Sequence, residues 1–144
     1  MSELRIERHY PITPERLFAF VSEPDNLVQW WGPEGTAIEA QDLDLGRLGP
    51  WSLTFLNPGG GRFAMRGIVI AVTPPSAVEF TMNVPGSDTD STVRFEMAAE
   101  GGGTRFTLIQ SNITEEMVAM GRHGWVSTLK RLQRLVDAAP PAAA

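Results

Sequence analysis

The sequence contains no cysteine, which excludes disulfide frameworks and cysteine-ligated zinc sites. Charge of either sign is dispersed. Twelve Lys and Arg stand against 17 Asp and Glu for a net charge of −5, and no run of like charge reaches the roughly five or six residues expected of a polyanion-binding tail. Nucleic acid is therefore not an expected partner. Long apolar runs are missing too: nowhere do about eighteen apolar residues follow one another, and the N-terminal MSELRIERHY is charged, with no apolar stretch. The chain reads as soluble and cytoplasmic, without stable membrane insertion. Only two histidines occur, and HExxH, GxSxG, P-loop and EF-hand patterns are all lacking. His9 falls on the polar face of a strand and His123 lies off the apolar stripe of a helix, so both read as solvated. No metal site, no catalytic set and no cofactor is expected.

The chain has 144 residues, 42% of them hydrophobic. A chain of that length buries about two-thirds of the surface its unfolded form exposes, enough for a single domain over 1–137 with the Ala/Pro stretch at 138–144 as a flexible tail. Four tryptophans, Trp30, Trp31, Trp51 and Trp125, are spread over three regions. Either they fill the core or they line something.

Leu4, Ile6 and Tyr10 alternate with Arg5, Glu7 and His9, the period of a half-buried strand that ends at Pro11. Thr13 before Pro14 signals a helix start, and Leu17, Phe18, Phe20 and Val21 give an apolar stripe over about 14–22. A second short helix begins at Pro24 and closes on Trp30 and Trp31 before Gly32-Pro33. From 37 to 113 the pattern changes to six strands, Ala37–Leu43, Trp51–Leu56, Phe63–Val72, Ala77–Asn83, Thr92–Ala98 and Arg105–Ile113, with turn residues between them. Short connections make this an antiparallel meander, because parallel pairs need longer crossovers. A long helix follows, capped by Thr114, with Glu115 and Glu116 at its positive end and Lys130, Arg131 and Arg134 toward the other. Its stripe, Met117, Met120, Gly121, Gly124, Trp125, Thr128, Leu129, Leu132, Leu135 and Val136, faces the sheet.

Two motif matches dissolve on inspection. GGGRFA at 59–64 fits the dinucleotide fingerprint, but a strand follows it where a helix is required, so it is a hairpin turn. Asn112-Ile113-Thr114 fits the glycosylation sequon, yet Thr114 already serves as the helix cap. Gly121 and Gly124 are more informative, since each costs about 1 kcal/mol relative to alanine in a helix interior. Either they allow close packing or a kink, or, flanked by Met117, Met120 and Trp125, they leave a hollow that flexible methionines adapt to a ligand. Gln110 shares the parity of Phe106 and Leu108, so its amide faces inward and needs a protein, water or ligand partner. Arg8 shares the parity of Ile6 and Tyr10, and either points inward or snorkels out.

The order of elements resembles a known family. So do Pro14-Glu15-Arg16-Leu17-Phe18 with Pro24, Leu27 and Trp30-Trp31-Gly32-Pro33; Val72-Thr73-Pro74-Pro75 ahead of Phe80; Gly102-Gly103-Thr104-Arg105; and Gly124-Trp125 with Leu129 and Leu132. From Leu4 to Val136 the chain resembles the START-like (SRPBCC) superfamily, in the branch named for the activator of the heat-shock chaperone ATPase. The resemblance implies an α+β helix-grip fold: a curved antiparallel sheet of about seven strands round the long helix, two short helices at one end, and a hydrophobic cavity between. It places Trp30 and Trp31 at the rim and Trp125 on the gripping helix. It puts Phe63, Met65, Phe80, Met82, Phe95, Phe106, Leu108 and Gln110 on inward strand positions, with the parity of 63 and 65 open. With Met117, Met120, Gly121 and Gly124 these are the candidate ligand-binding residues, while Trp51 is expected to be core. Many relatives carry a histidine where this chain has Gln110, which weakens an acid–base role there.

Three functions follow from the resemblance. The first is a monomeric or weakly dimeric protein holding a small hydrophobic or amphipathic molecule, lipid-like or aromatic. The second is a cyclase-, aromatase- or dehydratase-like enzyme using the same cavity. The third is a co-chaperone of a heat-shock ATPase, for which this chain shows no second domain to bridge a chaperone dimer.

Overall fold

The computed structural model describes residues 2–84 and 87–139. The elements run β1 (Ser2–Tyr10), α1 (Pro14–Ser22), α2 (Pro24–Trp30), β2 (Ala37–Asp42), β3 (Gly49–Leu56), β4 (Arg62–Thr73), β5 (Ala77–Met82), β6 (Ser91–Glu100), β7 (Gly103–Ile113) and α3 (Glu115–Ala138). The helix thus takes in Ala138, the first residue of the expected tail, and 140–144 lie outside the described residues.

All seven strands form one antiparallel sheet in the order β1-β7-β6-β5-β4-β3-β2. β2 to β7 are the expected meander, and β1 joins it by pairing with β7, with Leu4 opposite Gln110 and Ile6 opposite Leu108. The sheet bends where β4 meets β5. The register shifts between Val69 and Ala71, and the Ile68 amide bonds the Thr81 hydroxyl oxygen at 2.9 Å. Gly67 makes this approach possible. A Cβ there would stand 1.7 Å from the Thr81 carbonyl oxygen and 2.6 Å from the Trp51 indole nitrogen, which itself donates to that carbonyl at 3.0 Å.

Local chemistry accounts for the helix ends. The Thr13 hydroxyl accepts from the Arg16 amide and the Thr114 hydroxyl from the Met117 amide, both at 3.3 Å, and proline opens α1 and α2. GGGRFA forms the β3–β4 turn, with Gly60 at φ +89° and the Asn57 amide bonded to the Gly61 carbonyl at 2.8 Å.

The helix α3 packs across the concave face, against β1 and α2. From Trp125 onward it buries Trp125, Thr128, Leu129, Leu132 and Val136. Its N-terminal half meets the sheet at Gly121, against Leu4, but two expected stripe residues stand off it: Met117 is half-buried and Met120 is 67% exposed. The core is one continuous cluster, with Leu4, Tyr10, Leu17, Leu27, Trp30, Phe80, Phe95, Phe106 and Leu108 fully enclosed. Arg8 turns outward and bonds the Glu7 carbonyl at 2.8 Å. Thr107, on the opposite parity to Phe106 and Leu108, is buried as well.

Candidate functional site

Trp31 organises one end of the concave face. It is the C-cap of α2, with extended backbone (φ −66°, ψ 131°), so its indole leaves the helical direction of Trp30, the last helical residue, while packing on that ring at 5.5 Å. Trp30 enters the core, fully buried, its indole N–H donating to the Phe20 carbonyl at 2.9 Å. The Trp31 ring lies 5.8 Å from Phe80, 6.3 Å from Phe95, 6.0 Å from Trp51 and 5.7 Å from Trp125. These edge-on and tilted geometries suit aromatic quadrupoles.

One arginine fixes that position. From α3, the Arg131 guanidinium donates to the carbonyls of Trp31 (3.1 Å), Gly32 (3.0 Å), Pro33 (3.4 Å) and Gln29 (3.3 Å). It was expected to complement the C-terminal end of its own helix; instead it caps the end of α2. Burial pushes the guanidinium below its usual range, Glu34 pulls it back up and Arg134 opposes that pull. The Ser127 hydroxyl accepts from the Glu34 amide at 2.9 Å, and Arg134 pairs with the Glu34 carboxylate. Residues 127, 131 and 134 share one face of α3 and tie down 29–36 together. Gly32, at φ +96°, completes the wall, since a Cβ there would meet Phe55 at 2.5 Å.

Between this wall, the N-terminal half of α3 and the ends of β3, β4 and β5 lies a hollow of about 330 Å³. Trp31, Met82, Gln110 and Trp125 form its buried floor, and Met120, Asn57 and Pro33 stand at its exposed mouth. Phe63 and Met65 both face it, which settles their parity, and Met117, Gly121 and Gly124 contribute the helix side. Five expected residues do not line it. Trp30, Phe80, Phe95, Phe106 and Leu108 are fully buried core, because Trp31 lies over Phe80 and Phe95 while Phe106 packs on Tyr10 at 5.9 Å. Trp51 is core as expected, 1% exposed. The lining also includes Gly32, Pro33, Thr36, Phe55, Asn57, Asn83, Val84 and Thr128. Of these Phe55 and Thr128 carried a sequence signal, the first in its alternation with Trp51 and Leu53 and the second in the stripe of α3.

The two helix glycines divide between the two expected explanations. At Gly121 a Cβ would stand 2.9 Å from the Leu4 side chain and 3.4 Å from Gln110 Oε1, so close packing is part of its role. At Gly124 a Cβ would meet nothing within 4 Å, so that position opens onto space.

The floor is polar at one place. Trp125 Nε1–H donates to Gln110 Oε1 at 2.9 Å, Gln110 Nε2 donates to Ser91 Oγ at 3.0 Å, and Ser91 Oγ–H donates to the Met82 carbonyl at 3.1 Å. An indole nitrogen can only donate, which fixes the carboxamide's orientation and the direction of the chain. No Asp, Glu, Lys, Arg or His is among the described residues lining the hollow. Among the described residues no cluster of three or more His, Asp or Glu could hold a metal, and no helix is long and apolar enough to cross a membrane. His9 and His123 are exposed.

A single antiparallel sheet closed on one long helix, with an apolar hollow beneath that helix, defines a START-like helix-grip protein. Residues 11–137 match the family described as Activator of Hsp90 ATPase homolog 1-like protein, and the chain belongs to that family. It is similar to the AHSA1 protein of Silicibacter pomeroyi, at 36% identity and TM-score 0.86 over 94% of this chain and 98% of that one. An AHSA1-like protein of Aeromonas hydrophila shares 23% identity at TM-score 0.80, over 95% of this chain and 93% of that one. CalU16 of Micromonospora echinospora shares 20% identity at TM-score 0.70, over 94% of this chain and 76% of that one. The last two likenesses are of fold alone. No curated protein sequence matches the chain.

Proposed function

We propose that the protein binds a small, largely apolar molecule in the hollow beneath α3. The observation that carries this reading is an apolar chamber of about 330 Å³ with a buried carboxamide on its floor and methionines at its edge. Its size falls in the usual range for ligand pockets, and thioether side chains adapt to ligand shape. Burying about 250 Å² of apolar ligand surface at about 25 cal/mol per Å² supplies about 6 kcal/mol, which sets affinity on the order of tens of micromolar. The absence of a titratable group among the described lining residues favours binding over acid–base catalysis in this chamber.

Titration with the neutral naphthalene dye 6-propionyl-2-(dimethylamino)naphthalene tests the reading. Its emission should rise on binding to the natural protein and stay at background with Gly124→Phe, whose ring fills the space open at that position. Equal binding by a folded Gly124→Phe variant would refute the site.

The family's description supports a second reading, co-chaperone action. It requires that the purified protein stimulate the ATPase of a heat-shock chaperone, and a flat response across a concentration series removes it.

A further inference from the structure

The hydrogen-bond chain on the chamber floor leaves capacity over. A carboxamide has two N–H donors and an oxygen with two lone pairs. Gln110 is 5% exposed, and its side chain uses one donor on Ser91 and one lone pair on Trp125. Its second N–H and second lone pair have no partner among the described residues. Ser91 can supply neither need, because its own proton goes to the Met82 carbonyl. Gly121 bears on the same point: a Cβ there would stand 3.4 Å from Gln110 Oε1, so glycine leaves that oxygen uncovered on the helix side. Asn83, also in the lining, is bonded elsewhere: it accepts from the Arg66 amide at 2.8 Å and donates to the Ala64 carbonyl at 3.5 Å. The Thr128 hydroxyl donates to the Gly124 carbonyl at 2.8 Å. The arginines of α3 nearest in sequence to its chamber face do not line the chamber: Arg122 donates to the Arg5 carbonyl and Arg131 to those of Trp31 and Gly32.

We propose that the chamber selects uncharged, two-ring-sized molecules carrying a single hydroxyl or carbonyl oxygen, and that Gln110 anchors that oxygen; this rests on the ligand-binding reading above. A hydroxyl accepts from the free N–H and donates to the free lone pair, and a carbonyl accepts from the N–H alone. The size follows from the volume. A cavity of about 150 Å³ admits benzene, and this one is about 330 Å³. The charge selection follows from the lining, since a carboxylate driven onto this floor leaves water without meeting a cation.

Three probes of one shape separate the parts of the proposal: naphthalene, 1-naphthol and 1-naphthoate, titrated at neutral pH into the natural protein and into Gln110→Leu. In the natural protein 1-naphthol binds at least as tightly as naphthalene, and 1-naphthoate at least a hundredfold more weakly than 1-naphthol. In Gln110→Leu the ratio of the naphthol to the naphthalene dissociation constant rises about tenfold, while naphthalene itself changes by less than about threefold. Naphthoate within tenfold of naphthol in the natural protein overturns the charge selection without any variant. An unchanged ratio in a folded Gln110→Leu overturns the anchor while leaving the chamber in place. Failure of all three probes to bind overturns both this proposal and the reading beneath it.

Discussion

Gly124 offers the sharpest test of the space beneath α3. It lies in the middle of a 24-residue helix, where replacing glycine with alanine gains about 1 kcal/mol from backbone propensity. An added Cβ meets no heavy atom within 4 Å, so no steric penalty opposes that gain. Gly124→Ala should therefore stabilise the protein by about 1 kcal/mol, a rise in Tm of about 4 °C for a domain of this size. Gly121→Ala is the internal control. It carries the same propensity gain, but its Cβ comes within 2.9 Å of Leu4, a fully buried side chain paired opposite Gln110. Overpacking of that kind costs about 1–3 kcal/mol, so the net change should be zero or destabilising. Urea melts of the two variants and the natural protein, compared at constant m-value, decide the matter. Destabilisation by Gly124→Ala, or an equal gain at both positions, would mean that the space under this part of the helix is not as described.

Two further outcomes test the supporting structure. Arg131→Met removes the guanidinium that donates to the Gln29, Trp31 and Gly32 carbonyls and should lower stability by about 2 kcal/mol, with faster amide hydrogen exchange confined to 29–36; Arg131→Lys, with a single ammonium, should fall between. Tyr10 is the chain's one tyrosine, and its hydroxyl has no hydrogen-bond partner among the described residues. Burial holds its phenol above the usual range, against a smaller opposing effect of Arg8. The unfolded chain therefore loses that proton near pH 10 while the folded chain keeps it, and from there stability should fall by about 1.4 kcal/mol per pH unit. Alkaline denaturation of Tyr10→Phe should lack that increment, and phenolate absorbance should appear only as the natural protein unfolds.

The fold was largely legible because its signals are local. Thr13-Pro14 and Thr114 mark helix starts, and the alternation of Phe95 and Met97 or Phe106 and Leu108 marks strands, without reference to the rest of the chain. The site was less legible because parity says which face a side chain takes and not what covers it. Phe80, Phe95 and Met82 all point inward. The first two are roofed by Trp31, and Met82 reaches the hollow. That roofing depends on one residue leaving α2 in extended conformation, held by an arginine a hundred residues later. Thr36, Asn57 and Val84 sit in connections, where no periodicity applies. Trp30 and Trp31, adjacent and identical, have different fates because the helix ends between them.

The place of β1 at the sheet edge has a consequence for how the chain is made. Among the described residues its only strand partner is β7, about a hundred residues downstream, and α3 packs against it. On a ribosome β2 to β6 can zip together in order, yet β1 waits unpaired and β6 keeps an open edge until β7 emerges. Closure of the sheet on β1 thus waits for β7, and the edge of β6 is the surface that nascent-chain chaperones need to shield in the interval.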